Sequence, residues 1–189
     1  MFQPASLRAL ARSVKRAPER TLHTLRRRRA RRHVAALAPR SLLFLCHGNI
    51  CRSPFAAGAA RARLGETTFI AVDSAGLMGP DRASPPEAVQ AARVRGVDLK
   101  GHRSKLFTAA MARCAGLVIV MDPAQVRAAR EAGAPPGRIL VLGDLDPLPI
   151  DSRTIPDPVE KPLDAFAACY ERIDHCVTEL AGLVAPGSR

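Results

Sequence analysis

The chain has 189 residues, no tryptophan and one tyrosine, Tyr170, and its aromatic content is 4%. No aromatic is interleaved with the arginines of the basic first forty residues, so base stacking on nucleic acid has no support there. Sequence-specific nucleic-acid binding is not expected. No apolar run approaches the roughly 18–20 residues of a membrane span, and the first residues lack the apolar segment of a signal peptide. Cysteines 46, 51, 114, 169 and 176 are odd in number and form no Cys-x-x-Cys pair, which argues against a disulfide framework and a zinc site. Nucleotide-binding glycine motifs, internal repeats and carboxylate–histidine metal clusters are missing too. No cofactor and no metal are expected.

Acidic residues are scarce in one place only. Residues 1–40 carry twelve Lys or Arg and a single acid, Glu19. The remaining 149 residues carry seventeen basic and sixteen acidic side chains, so the basic pI belongs to the first forty residues. Arg26–Arg29 with Arg31 and Arg32 form a run that reads as a flexible, solvated arm over 1–40, with one folded domain over 41–189. Leu7, Leu10 and Val14 have helical spacing ended by Pro18, and Leu22 and Leu25 read as one or two further turns. Such an arm suits a free extension, contact with an anionic membrane or polyanion, or an organelle-targeting leader.

What the chain does contain is Cys46-His47-Gly48-Asn49-Ile50-Cys51-Arg52-Ser53, directly after the apolar Leu42–Leu45. Cys-x5-Arg between a strand and a helix describes an anion-gripping loop with a nucleophile at its base. Five residues can turn successive N–H groups toward one centre. The following helix adds its unpaired N–H groups and positive dipole end, and Arg52 can close on the anion with two parallel hydrogen bonds. A thiol at a helix N-terminus beside a guanidinium ionises more readily than usual. It can attack phosphorus to give a phosphocysteine, which water then hydrolyses, while amides and guanidinium hold the charge of the transferring group. The leaving oxygen needs a proton. Asp157, between Pro156 and Pro158 in an irregular stretch from Asp144 to Pro162, is the candidate acid.

Strand and helix signals alternate. Strands are expected at Ser41–Cys46, Thr68–Ser74, Ala115–Met121 and Arg138–Leu142. Helices are expected at Ser53–Leu64, from Ser84 through about Arg95, at Lys105–Arg113, Asp122–Ala132 and Pro162–Val184. The last would bury Phe166, Cys169, Ile173, Cys176 and Leu180, and Cys114 is also assigned to the core. This alternation gives an α/β fold, a small doubly wound parallel sheet of four strands with helices on both faces and ligands bound at the strands' carboxyl ends.

Leu42–Pro54, Asp73-Ser74-Ala75-Gly76, Gly101-His102-Arg103-Ser104, Val118–Asp122 and Asp157-Pro158 occur in that order across about 41–185. This set resembles the low-molecular-weight protein tyrosine phosphatase family. The resemblance implies a flavodoxin-like strand order, Cys46 as nucleophile, Arg52 as clamp and Asp157 as acid, then base. It implies His47, Gly48, Asn49, Ile50, Cys51 and Arg52 around the phosphate, supported by Ser53, Ser74 and His102. It also implies a strained left-handed Asn49 and a redox role for Cys51, which would form a reversible disulfide with Cys46. Family members acting on phosphotyrosine often flank the pocket with aromatics, where this chain has Leu77-Met78-Gly79-Pro80 and Val159-Glu160. Relatives that resemble arginine phosphatases carry threonine at the position of Ile50, so Ile50 favours the tyrosine branch. The expected activity is phosphomonoester hydrolysis in the cytoplasm, on a phosphotyrosine protein or a small phosphomonoester. Thiol-linked arsenate reductase shares the loop, but Met121-Asp122-Pro123 offers no relay cysteine. A non-catalytic phosphate-binding module is the third reading.

Overall fold

The computed structural model describes residues 22–65 and 69–185. Helix α1 covers 22–37, and the strands are β1 (Ser41–Cys46), β2 (Ala71–Gly76), β3 (Leu117–Val120) and β4 (Ile139–Val141). The further helices are α2 (Arg52–Leu64), α3 (Pro86–Val94), α4 (Ala109–Cys114), α5 (Gln125–Glu131) and α6 (Leu163–Val184). All strand pairs are parallel, in the order β2-β1-β3-β4. The expected four-stranded α/β architecture is therefore present. Both faces of the sheet are covered, which is why β1 and β3 read as unbroken apolar runs. Leu42, Phe44, Leu117 and Ile119 point into a core shared with α2 and α6. Leu43, Leu45, Val118 and Val120 point into a second core that includes Ala112 of α4 and Ala129 of α5.

The amphipathic reading of α6 holds. Phe166, Cys169, Ile173, Cys176 and Leu180 are buried, and so are Tyr170 and Val177. Tyr170 stacks on Phe55 of α2 with ring centroids 4.0 Å apart and meets Phe166 edge-on at 6.3 Å. Such geometries suit the quadrupoles of the rings.

Several expectations are corrected. Residues 105–107 are not helical. Gly76 N–H donates to the Lys105 carbonyl and Phe107 N–H to the Gly76 carbonyl, so this segment extends the edge beside β2. The helix starts later, at a cap in which Thr108 Oγ1 accepts from Met111 N–H at 3.2 Å. The second strand lies at 71–76, because its pairing follows β1 to Cys46 opposite Gly76. Cys114 is exposed at the end of α4, where Ala112 and Ala115 take the inward positions.

The largest correction concerns the basic arm. Residues 22–37 are a helix docked on the domain, with Ala30 and Val34 buried in the same core as Leu180 and Ala181. Glu179 of α6 accepts from both Arg27 and Arg31. Leu22 and Leu25, which the sequence offered as the apolar positions, are exposed. The helix ends where Ala38 takes a left-handed φ of 42° and Pro39 cannot continue it. The expected segment around Leu7, Leu10 and Val14 lies outside the described residues. Among the described residues, no helix is long and apolar enough to cross a membrane.

Candidate active site

β1 ends at Cys46 and α2 begins at Arg52, so residues 47–51 must turn between a strand end and a helix N-terminus. Cys51 occupies the N-cap without a capping side chain, which leaves the first amides of α2 facing the loop. The turn closes through Asn49, whose φ of 51° lies in the left-handed region that Asn tolerates better than most residues. Its side chain is fully engaged. Nδ2 donates to Ser53 Oγ and Ser74 Oγ, each at 2.9 Å, and Oδ1 accepts from Lys105 N–H at 2.8 Å. His102 Nε2–H donates to the Asn49 carbonyl at 2.7 Å. Gly76 lets this loop approach, since a Cβ there would lie 2.8 Å from Asn49 N.

The Cys46 sulfur has two polar neighbours. Ser53 Oγ is 3.0 Å away and Asn49 N–H donates from 3.2 Å. Both can donate to a thiolate, the nucleophilic form of cysteine. Arg52 is buried at 4% exposure; Nη1 donates to the Ile155 carbonyl at 3.2 Å and Nη2 to the Asp157 carboxylate. Arg52 Nε is buried without a partner among the described residues, a donor suited to an anion in the loop. Val159 N–H in turn donates to Asp157 Oδ1 at 3.3 Å. Cys46, Arg52 and Asp157 thus line one cleft of about 180 Å³, together with His47, Gly48, Ile50, Cys51, Met78, Arg82 and Val159.

The sequence-predicted residues fall into two groups. Cys46, Arg52, Asp157 and loop residues 47, 48, 50 and 51 line the cleft, whereas Asn49, Ser53, Ser74 and His102 form the hydrogen-bonded layer behind it. Met78 and Val159 reach the rim, but Leu77 packs into the second core instead. Sequence reasoning missed Arg82, a second cation at the rim, and Tyr170, whose hydroxyl donates to the Cys51 carbonyl at 3.3 Å from below. Neither belongs to a local motif that marks it. Burial pushes the Cys51 thiol far up, and that of Cys169 up to about 12, so both stay protonated at neutral pH.

A family model for low molecular weight phosphotyrosine protein phosphatases matches residues 41–186. The chain belongs to this family. It is 34% identical over 151 residues to the Escherichia coli low molecular weight protein-tyrosine-phosphatase Etp, covering 78% of this chain and 97% of the relative. It is similar to the crystal structure of the tyrosine phosphatase Wzb from Escherichia coli K30 in complex with phosphate. That match has a TM-score of 0.66 and 32% identity, covering 81% of this chain and 97% of the other. The Erwinia amylovora tyrosine phosphatase AmsI superposes with a TM-score of 0.68 at 28% identity, over 75% of this chain and 91% of its own. This phosphatase carries Cys46 as the last residue of β1, where the loop to α2 begins.

His102 ties the pH response of the site to its architecture. Burial lowers its pKa below the ordinary value, chiefly by desolvation, and Lys105 and Arg61 add to this against the bond to Asn49. A histidine whose folded pKa lies below about 6.5 binds fewer protons folded than unfolded in that window. Its contribution to stability is complete above about pH 6.5 and is lost as the pH falls through the window. The melting temperature should therefore drop between pH 7 and pH 5. His102→Gln keeps an N–H for Asn49 and should remove part of that drop. Superimposable pH profiles for the two proteins would refute the assignment.

Proposed function

We propose that this phosphatase hydrolyses phosphotyrosine in proteins through a phosphocysteine on Cys46. The observation that carries the reading is the convergence of Cys46 Sγ, the buried Arg52 guanidinium and the Asp157 carboxylate on one small cleft. The Cys46 thiolate attacks phosphorus, Arg52 and the loop amides hold the non-bridging oxygens, and Asp157 protonates the leaving phenolate. Asp157, now a carboxylate, takes a proton from the water that cleaves the sulfur–phosphorus bond and releases phosphate. Asn49, Ser53, Ser74 and His102 keep the loop in its anion-gripping shape. The substrate ring packs on Met78 and Val159 in place of aromatic flanks.

Cys46→Ser should abolish hydrolysis of an aryl phosphate while leaving phosphate binding measurable by calorimetry. Retained turnover would refute the phosphocysteine route. Asp157→Asn should cost about 10²–10⁴-fold where leaving-group protonation matters most. A uniform loss on good and poor leaving groups would make Asp157 a structural residue.

Cys51 shares the loop with the nucleophile and is a free thiol. In this reading peroxide oxidises the Cys46 thiolate to a sulfenic acid. The Cys51 thiol then gives its proton to the sulfenic oxygen, which leaves as water while the Cys51 sulfur bonds to the Cys46 sulfur, and a dithiol reduces the disulfide. Mild peroxide followed by dithiothreitol should restore wild-type activity and should restore much less in Cys51→Ser. Equal recovery would reduce Cys51 to packing.

The outer face of α1 presents Arg28, Arg29 and Arg32, all exposed, beside the exposed Leu25. This face suits contact with an anionic membrane surface. Juxtaposed arginines contribute about 1 kcal/mol each. Changing all three to alanine should weaken binding to phosphatidylserine vesicles by about 100-fold at low salt, with little difference at high salt. Unchanged vesicle binding would refute it.

A further inference from the structure

Helix α1 lies outside the span matched by the family model, yet one of its side chains reaches the base of the acid loop. His23 is 4% exposed, and its Nε2 lies 2.9 Å from the main-chain carbonyl of Asp146. A carbonyl only accepts, so Nε2–H is the donor of this bond. Nδ1 is buried without a partner among the described residues. Among the described residues the imidazole is thus held by a single directed bond, and that bond goes to the acid loop.

Asp146 passes the contact on. Its residue is 2% exposed, and its carboxylate accepts from Arg172 Nε at 2.8 Å and from Leu148 N–H at 3.1 Å. The other two arms of Arg172 donate to main-chain carbonyls, Nη1 to Thr154 at 2.8 Å and Nη2 to Ser152 at 2.6 Å. Next to this fork, Arg153 makes a bidentate pair with Asp144, each bond 2.7 Å. Thr154 stands three residues before Asp157. Between them, Ile155 N–H donates to the Met121 carbonyl and Pro156 fixes its own φ, so little slack separates the fork from the carboxylate. The far side of α1 is anchored independently, by Ala30 and Val34 in the core and by Arg27 and Arg31 on Glu179.

We propose that α1 positions the general acid: His23, acting through Asp146 and Arg172, holds the Ser152–Thr154 segment so that Asp157 keeps its place opposite Arg52. His23 is a positioning residue and touches no reacting atom. The inference rests on the reading of Asp157 as the acid.

The test uses full-length protein and two substrates, 4-nitrophenyl phosphate with a good leaving group and phenyl phosphate with a poor one. His23→Ala should lose about tenfold more kcat/KM on phenyl phosphate than on 4-nitrophenyl phosphate, as expected when a catalytic group is displaced. His23→Gln, which can offer an N–H at the position of Nε2, should regain most of the difference. In an Asp157→Asn background, His23→Ala should add no leaving-group discrimination, because both changes act on one proton transfer. Equal losses on both substrates, no loss, or an undiminished effect in the Asp157→Asn background would overturn the proposal. If Asp157→Asn itself shows no leaving-group preference, the acid assignment fails. If it shows one and His23→Ala does not, the positioning role alone fails. Should His23→Ala not fold, Arg172→Lys, which keeps a cation beside Asp146 and gives up the fork to the two carbonyls, is read in the same assay with the same expected discrimination.

Discussion

The Arg52 guanidinium sits where the loop after Cys46 and the loop carrying Asp157 meet, and each half of the site is positioned against it. Its backbone begins α2, so the strand-to-helix turn after Cys46 fixes it on one side. Its two terminal nitrogens reach Ile155 and Asp157, so the loop carrying Asp157 is fixed on the other. A buried guanidinium is costly unless its donors are satisfied and its charge is matched. Asp157 and the Ile155 carbonyl meet most of that demand. Nε remains buried and unpartnered among the described residues.

A parallel sheet makes this meeting possible. β1 and β3 are adjacent and run the same way, so the turns leaving both carboxyl ends open on one edge. The phosphate loop leaves β1 there. Met121, just past β3, receives the Ile155 N–H on that same edge. Gly76 ends β2 opposite Cys46 and admits the backbone of Asn49, so the third neighbouring strand supplies the back wall.

How much of this was legible in the sequence follows from how local each signal is. Cys46, Arg52 and Ser53 lie on one short turn, and the apolar runs of β1 and β3 follow from burial on both faces, so loop and fold were readable together. Asp157 was readable because Pro156 and Pro158 mark a stiff loop. The docking of α1 was not, because its buried positions are His23, Ala30 and Val34, a polar residue and two small ones. Leu22 and Leu25 face outward while only Leu37, at the end of the helix, packs partly against the core, and the arginine run reads as a solvated tail until Glu179 is known to lie beneath it. The helix expected at 105–113 failed for a related reason. Pairing of Lys105 and Phe107 with Gly76 is a long-range contact, and it outweighed local propensity. Arg82 and Tyr170 carry no sequence mark at all, since each acquires its place only through tertiary packing.

Helix α6 joins these separate contacts. Within four turns Cys169 donates to the Pro156 carbonyl at 3.5 Å, Tyr170 to the Cys51 carbonyl, Arg172 to the Ser152 and Thr154 carbonyls, and Glu179 accepts from α1. Three of these four contacts end on main-chain carbonyls, which any residue supplies, so they constrain backbone position without constraining the sequence of the loops. The thiol and the phenol at 169 and 170 donate as neutral groups, because burial raises the pKa of both. Neutral donors suit this place. They fasten the loop after Cys46 and the loop carrying Asp157 from behind without adding an anion near Cys46, where a further negative charge would oppose both a thiolate and a phosphoryl group.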